Sequence, residues 1–304
     1  MSSDIISDGS VGGQIPDIPA FRPVHADVFA ERAQRLHALG AGHAFEHYLR
    51  FAAALARAQD DALHSLPILA LPDEGTLSRC REHGLPALSV DGHRRTPVWR
   101  DALAQIATRL DADGVSAPVT KVIQRVRSRP ASELEDAGAA LLEGAYTELD
   151  AAEAPIIGAA LQVYWAKMAL QLGQSATAHP AQIGLCPVCG SHPVVSVIRI
   201  GGAQQGLRYL VCSLCASEWH MVRVKCSACG STKGISYFNI ALSEAIKAEC
   251  CDQCKTYLKI FYLEKDTSLV PAADDIASLA LDLLVDEEGY NRIGPNLLFL
   301  PGSP

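Results

Sequence analysis

The chain lacks the equipment for a membrane and for a polyanion. No stretch approaches the roughly 18 apolar residues that read as a spanning helix. Acidic residues outnumber basic ones, 34 to 26, for a net charge of −8, which argues against a nucleic-acid coat or a membrane-surface binder. Met1 to Phe21 shows no basic segment leading into an apolar run and no paired arginines. No secretory or twin-arginine signal is expected, and the compartment is expected to be the reducing cytoplasm. Glycine-rich phosphate loops and a nucleophile elbow are also missing, and aromatics amount to only 6%. What remains is a globular composition, 49% hydrophobic and 20% charged over 304 residues. That length suits about two ordinary domains and rules out a largely disordered chain.

Cysteine is abundant and unevenly placed. Of ten cysteines, nine fall between Cys186 and Cys254, and only Cys80 lies outside. Eight of the nine form Cys-x-x-Cys pairs: Cys186/Cys189, Cys212/Cys215, Cys226/Cys229 and Cys251/Cys254. The strings CPVCGS at 186–191 and CSACGS at 226–231 repeat at an offset of 40 residues. The pattern is two copies of one small module in tandem.

Two residues between cysteines allow a tight turn to aim both sulfurs at one point. Gly190 and Gly230, which follow the first pair of each module, can adopt positive φ and bring backbone N–H groups toward a sulfur. Two facing turns make a tetrahedral set of four thiolates, and in a reducing compartment such a set is a metal site. Each module is too short for an adequate core of its own. A tetrathiolate ion can supply ~10–16 kcal/mol of folding free energy, so a purely structural role is a full alternative to a chemical one. Four thiolates select zinc or iron. Sequential pairing within each module follows from the repeat; pairing of first with third and second with fourth is the other possibility. Between Cys186 and Tyr262, eight lysines and arginines face four acids, an excess of +4 that matches the −4 of two sites loaded with a dication.

The spans Val194–Ile200, Leu207–Val211, Trp219–Val224 and Tyr257–Leu263 read as strands, giving ribbon or rubredoxin-like modules. Cys250 precedes a ligand candidate in a strand and should face the other way; a reactive or alternate thiol is the competing reading. His192 and His220 could replace a sulfur but read as ordinary strand residues. Cys80 reads as a small buried apolar side chain.

Before Gln182 the apolar spacing is helical. One stripe joins Phe29, Ala33 and Leu36, and another joins Phe45, Tyr48, Ala52 and Leu55. Residues 65–97 read as mostly loop. Helices resume at 98–112 and at 132–147, the latter opening on a capping box, Ser132-x-x-Glu135. The longest stripe runs through Ile157, Leu161, Tyr164, Met168 and Leu172, between Pro155 and Gly173. One last helix around Ile276, Leu279 and Leu283 should stop near Gly289. The predicted architecture is α+β: a flexible tail (1–22), a helical domain (23–181), two tandem rubredoxin or zinc-ribbon-like four-Cys modules (182–224 and 225–265) and a C-terminal helix and tail (266–304). Three distractors are read as bland. His43-Ala44-Phe45-Glu46-His47 matches a short peptidase pattern with both histidines on one helical face, but no third ligand is evident. Lys121, Arg125, Arg127 and Arg129 read as a solvated helix end. Asp274-Asp275 and Glu287-Glu288 read as terminus and surface charges.

Beyond the cysteine pairs, longer strings run along the chain. They are Phe29-x-x-Arg32-Ala33-x-Arg35-Leu36, then Tyr48-Leu49-x-Phe51 through Ala58-Gln59, then Asp274-Asp275-x-Ala277-Ser278 and Gly289-Tyr290-x-Arg292-x-Gly294. With the four pairs in order, the chain resembles the formate dehydrogenase accessory proteins of FdhE type over about residues 22–300. The resemblance implies a bacterial cytoplasmic maturation factor, not itself an enzyme, that contacts the immature catalytic subunit of respiratory formate dehydrogenase. It implies rubredoxin-type iron, with zinc as the alternative, and Cys186, Cys189, Cys212, Cys215, Cys226, Cys229, Cys251 and Cys254 as metal ligands. It implies neither membrane insertion nor nucleic acid as a partner. A stand-alone rubredoxin-like electron carrier and a zinc-ribbon nucleic-acid binder are the competing functions.

Overall fold

The computed structural model describes residues 18–93, 95–176, 183–240 and 243–300. Most of the expected N-terminal tail, and the expected boundary at residues 181–182, lie outside them. The helices α1 (Val28–Gly40), α2 (Glu46–Ser65), α3 (Glu74–His83), α4 (Val98–Ala112), α5 (Ala117–Ser128), α6 (Ala131–Glu143) and α7 (Ala154–Leu172) come first, preceded by a two-residue strand β1 (Phe21–Arg22). Helix α7 is buried on nearly every side, from Ile156 to Leu172. A helix apolar all round belongs in the middle of a bundle, and α2, α4 and α6 pack on it. Ala52, Ala53, Ala56 and Ala58 are buried along α2; short side chains let the neighbouring helices come close.

Helix α3 lies in the span read as loop. Its start is set by Asp73, whose Oδ1 accepts from the N–H of Thr76 at 2.9 Å, an N-cap hidden among the surrounding prolines and glycines. The capping box at Ser132 is not formed: Pro130 is the cap residue and no side chain caps the helix. Glu135 instead accepts from the indole N–H of Trp99 at 2.9 Å. The basic stripe is not simply solvated either. Arg125 and Arg129 hold the buried carboxylate of Glu153 at 2.9 and 2.7 Å, and Arg127 reaches Asp111 at 2.5 Å.

The second half is one sheet. Strands β2 (Pro193–Ile198), β3 (Arg208–Cys212) and β4 (Glu218–His220) form one antiparallel ribbon; β5 (Ile235–Phe238), β6 (Ile246–Cys251) and β7 (Thr256–Tyr262) form another. The ribbons join by parallel pairing of β2 with β7, Val197 opposite Phe261. The order is β1-β4-β3-β2-β7-β6-β5. Strand β2 therefore pairs with β7 on the side away from β6, and β5 lies at the end of the order. At the other end β1 covers β4, Phe21 opposite Trp219. Strands β5 and β6 were not singled out from the sequence.

The chain ends with α8 (Pro271–Ala277), α9 (Leu279–Glu287) and a short strand β8 (Asn291–Arg292) beside β7. The single expected helix is thus broken at Ser278, whose hydroxyl turns back to the carbonyl of Asp274 at 2.7 Å. Asp274 and Asp275 are buried, not surface charges. Arg35 grips Asp274 at 2.7 Å. Asp275 meets Lys259 at 3.1 Å and Arg292 at 2.7 Å, and both cations also reach Asp282. Burial raises the Asp274 carboxyl above its usual range. Asp275 is pushed up by burial too, but Arg292 and Lys259 outweigh it and hold the group below that range. Glu287 and Glu288 are exposed, as expected. The peptidase-like pattern is dismantled by the helix boundary. Helix α2 begins at Glu46, so His43 stands outside it with one ring nitrogen 3.1 Å from the carbonyl of Ala277. Glu46 pairs with Arg50.

Candidate metal centres

The eight paired cysteines gather into two four-sulfur groups, Cys186/Cys189/Cys212/Cys215 and Cys226/Cys229/Cys251/Cys254, the sulfurs of each lying within 4.8 Å of one another. Pairing is sequential, as the repeat suggested. Sulfur–sulfur distances include 3.6 Å for Cys186–Cys215, 3.4 Å for Cys189–Cys212, 3.6 Å for Cys226–Cys254 and 3.8 Å for Cys229–Cys251. A tetrahedral ion with bonds of about 2.3 Å sets its sulfurs about 3.8 Å apart, whereas a disulfide needs about 2.05 Å. Soft sulfur donors at this spacing fit a tetrathiolate ion, so each group could hold one.

One pair of each group sits on a knuckle in which backbone N–H groups point at the first sulfur. Leu214 and Cys215 donate to Cys212 Sγ at 3.4 Å; Ala228 and Cys229 donate to Cys226 Sγ at 3.4 and 3.5 Å. The residue after the second cysteine is left-handed in all four: Gly190 (φ 79°), Ala216 (58°), Gly230 (75°) and Lys255 (55°). The two glycines were legible in the sequence. Ala216 and Lys255 were not, because neither residue type ordinarily enters that region.

Electrostatics explain why such a group wants a cation. In the first group burial opposes ionisation, yet hydrogen bonds from the neighbouring thiols lower the Cys189 thiol, while burial and those same neighbours raise Cys186 and Cys212. In the second group the backbone at Ser231 pulls Cys229 down, but burial and three facing sulfurs push its thiol up to about 12. Only a bound dication would let all four ionise together.

The surroundings of the two groups differ. Cys186, Cys189, Cys212 and Cys215 are at most 3% exposed and belong to the same core as the helices. The helical domain clamps both knuckles. Leu88 N–H donates to Val188 O at 2.7 Å and Val90 N–H to Cys189 O at 2.9 Å, while Trp165 Nε1 holds the carbonyl of Leu88. Gln162 Nε2 donates to Ser213 O at 2.7 Å. In the second group Cys229 is exposed and Cys254 half-buried. The groups meet at Gly184, where an added Cβ would lie 1.7 Å from the carbonyl oxygen of Ser227.

The remaining candidates fall outside the two groups. Cys250 faces away, as the strand alternation required, into a cluster with Tyr257, Leu281 and Val285. Its side chain is fully buried and burial pushes its thiol up to about 12, both of which disfavour a reactive thiolate. His220 stacks edge-on against Tyr209, with ring centroids 5.8 Å apart, and His192 is likewise no part of a four-sulfur group. Cys80 is half-buried on α3, less enclosed than expected. The charge match also needs correcting at one residue: Lys259 is fully buried on Asp275 and Asp282, acids outside the segment, so it neutralises carboxylates rather than sulfurs.

A helical clamp on a sheet with two tandem four-sulfur knuckle groups defines a class of protein with paired rubredoxin or zinc-ribbon-like modules. The models for FdhE match in chain order: "FdhE, N-terminal" over residues 18–182, "FdhE, central domain" over 185–223 and "FdhE, C-terminal domain" over 224–299. The chain belongs to the FdhE family. It is 40% identical over 309 residues to the "Protein FdhE homolog" of Pseudomonas aeruginosa, covering all of both chains. It is 40% identical over 287 residues to "Protein FdhE" of Escherichia coli K12, covering 94% of this chain and 92% of that one. The crystal structure of the FdhE protein from Pseudomonas aeruginosa superposes with a TM-score of 0.82 at 40% identity, over 94% of this chain and 100% of that one. Among the described residues no helix is long and apolar enough to cross a membrane.

Proposed function

We propose that this protein is a cytoplasmic accessory factor for formate dehydrogenase. It binds the immature catalytic subunit and does not itself oxidise formate. The observation that carries this reading is the end-to-end match to FdhE proteins together with eight sulfurs gathered four and four. Cys186, Cys189, Cys212 and Cys215 hold one ion; Cys226, Cys229, Cys251 and Cys254 hold the second. Iron is the favoured metal and zinc the alternative, since both suit four thiolates. Residues 23–181 form the helical unit, 182–224 and 225–265 the two metal modules, and 266–304 the closing segment. Exposure of Cys229 favours the second module as the one a partner meets. The test is co-purification of the metal-loaded protein with a formate dehydrogenase catalytic subunit lacking its cofactors, under reducing and oxidising conditions. Capture in either state is expected. Failure in both, with the metal content intact, removes the reading.

A further inference from the structure

A cavity of about 400 Å³ opens where α1, the sheet and α8 meet. Three arginines line it: Arg22, Arg32 and Arg199. Two share a single carboxylate, Glu218, which cancels one of their two charges. Arg22 Nε lies 3.2 Å from Glu218 Oε2, and Arg199 Nε donates to the same oxygen at 3.1 Å. The nearby His25 faces Glu31 at 3.6 Å.

Arg32 has no such partner. It is 5% exposed. Its Nη1 donates to Gln162 Oε1 at 3.0 Å and, at 3.4 Å, to Gln59 Oε1, and its guanidinium carbon lies 4.9 Å from the centre of the Phe29 ring. Among the described residues no carboxylate pairs with it. The two glutamines are fixed with their amide oxygens toward the cation, because Gln59 donates to Ala159 O at 3.1 Å and Gln162 to Ser213 O at 2.7 Å. Burial lowers the Arg32 guanidinium to about 10, so at neutral pH it still carries its charge. A buried charge without a counter-charge is costly to maintain, and here a polar cradle is built to keep it beside an open volume.

The rest of the wall is mixed. Val28, Val194, Val211, Leu269 and Val270 supply an apolar side, while Glu31 and Asn296 are polar. Three arginines against Glu31 and Glu218 sum to +1, which suits one negative charge on a partly apolar body. A phosphate dianion would exceed that sum. We propose that this cavity binds a small aliphatic carboxylate, with the carboxylate on Arg32 and the alkyl part against the valines. Cys212 and Ser213 also line the cavity, so the ligand would rest against a knuckle of the first four-sulfur group.

The experiment titrates sodium hexanoate into the metal-loaded full chain by calorimetry, with hexanol and inorganic phosphate as controls. Saturable binding of hexanoate alone is expected. Arg32→Met should weaken hexanoate binding by roughly tenfold or more, the value of a hydrogen bond between two charged groups. Val28→Trp fills the mouth while leaving Arg32 in place, and it should abolish binding even if the arginine variant does not fold. The proposal is overturned if hexanoate does not saturate, if phosphate or hexanol binds as well, or if either folded variant binds like the parent. An effect of Arg32→Met on metal release without any carboxylate effect would also overturn it, making the sulfur group itself the counter-charge.

Discussion

Both four-sulfur groups are closed by the same knuckle, yet one sits inside the molecule and the other at its rim. Around the first, the helical domain supplies Leu88, Val90, Trp165 and Gln162 as hydrogen-bonded braces on both turns. Around the second, Cys229 is open to solvent and Cys254 half-open, and a main contact is the close backbone approach of Gly184 to Ser227. Identical local geometry thus serves two situations. The first group is part of the main core, so the docking of helices on sheet depends on it. The second organises mainly its own ribbon and leaves a sulfur where another molecule can reach it.

The largest effect should come from removing one thiol of each group in turn. A tetrathiolate ion is worth on the order of 10 kcal/mol of folding free energy, comparable to the whole stability of a domain, about 5–15 kcal/mol. Cys189→Ser should therefore prevent cooperative folding of the entire chain. Cys229→Ser should leave α1–α7 and the first ribbon folded, with loss of amide protection concentrated in β5 and β6. Hydrogen exchange with thermal unfolding distinguishes the two. Equal, global loss in both variants would mean the two groups share one cooperative unit and the contrast is only cosmetic.

A smaller effect separates the ribbons without touching the metals. Arg208 on β3 and Glu249 on β6 form a fully buried pair at 2.7 Å across the module boundary, with Tyr237 OH donating to Glu249 at 2.9 Å. Arg208 also donates to the carbonyl of Lys225, just before Cys226. Breaking a buried pair on one side strands a charge and costs about 3–5 kcal/mol, whereas replacing both members by apolar residues can be nearly neutral. Glu249→Leu should lower stability by that amount, and Arg208→Met with Glu249→Leu should recover most of it, both read from urea midpoints. Additive losses in the double variant would show that the pair does not link the ribbons.

The sulfur groups were legible because their signal is local: four spaced pairs and a 40-residue repeat. Helix α7 was legible from its stripe, bounded by Pro155 and Gly173. What stayed hidden depends on distant partners. That Asp275 and Lys259 would be buried together was invisible, since each looks like a surface charge until the other arrives from 16 residues away. The fusion of the two modules into one sheet rests on parallel pairing of β2 with β7, whose registers no local pattern announces. Strands β5 and β6 carry weak alternation and were passed over. Helix α3 was masked by Pro72 and Gly75, residues that punctuate loops yet here flank a capped first turn.

The smallest effect returns to the knuckle that the two groups share. The residue after its second cysteine is left-handed, and two of the four such positions are not glycine. An L-residue pays roughly 1–2 kcal/mol there; glycine avoids this but gives back about 0.4–1 kcal/mol through a freer unfolded chain. Ala216→Gly should therefore raise stability by about 1 kcal/mol, seen as a higher urea midpoint with an unchanged slope. Lys255→Gly should gain less, because Lys255 also pairs with Asp252 at 2.8 Å and lies 5.0 Å from the Tyr290 ring. Gly190→Ala should do the reverse of Ala216→Gly. If Ala216→Gly lowers the midpoint instead, the packing of the Ala216 methyl against the main core outweighs the backbone preference. The buried group would then tolerate a strained turn for the sake of core packing, whereas Lys255 in the exposed group keeps the same turn beside a surface ion pair with Asp252.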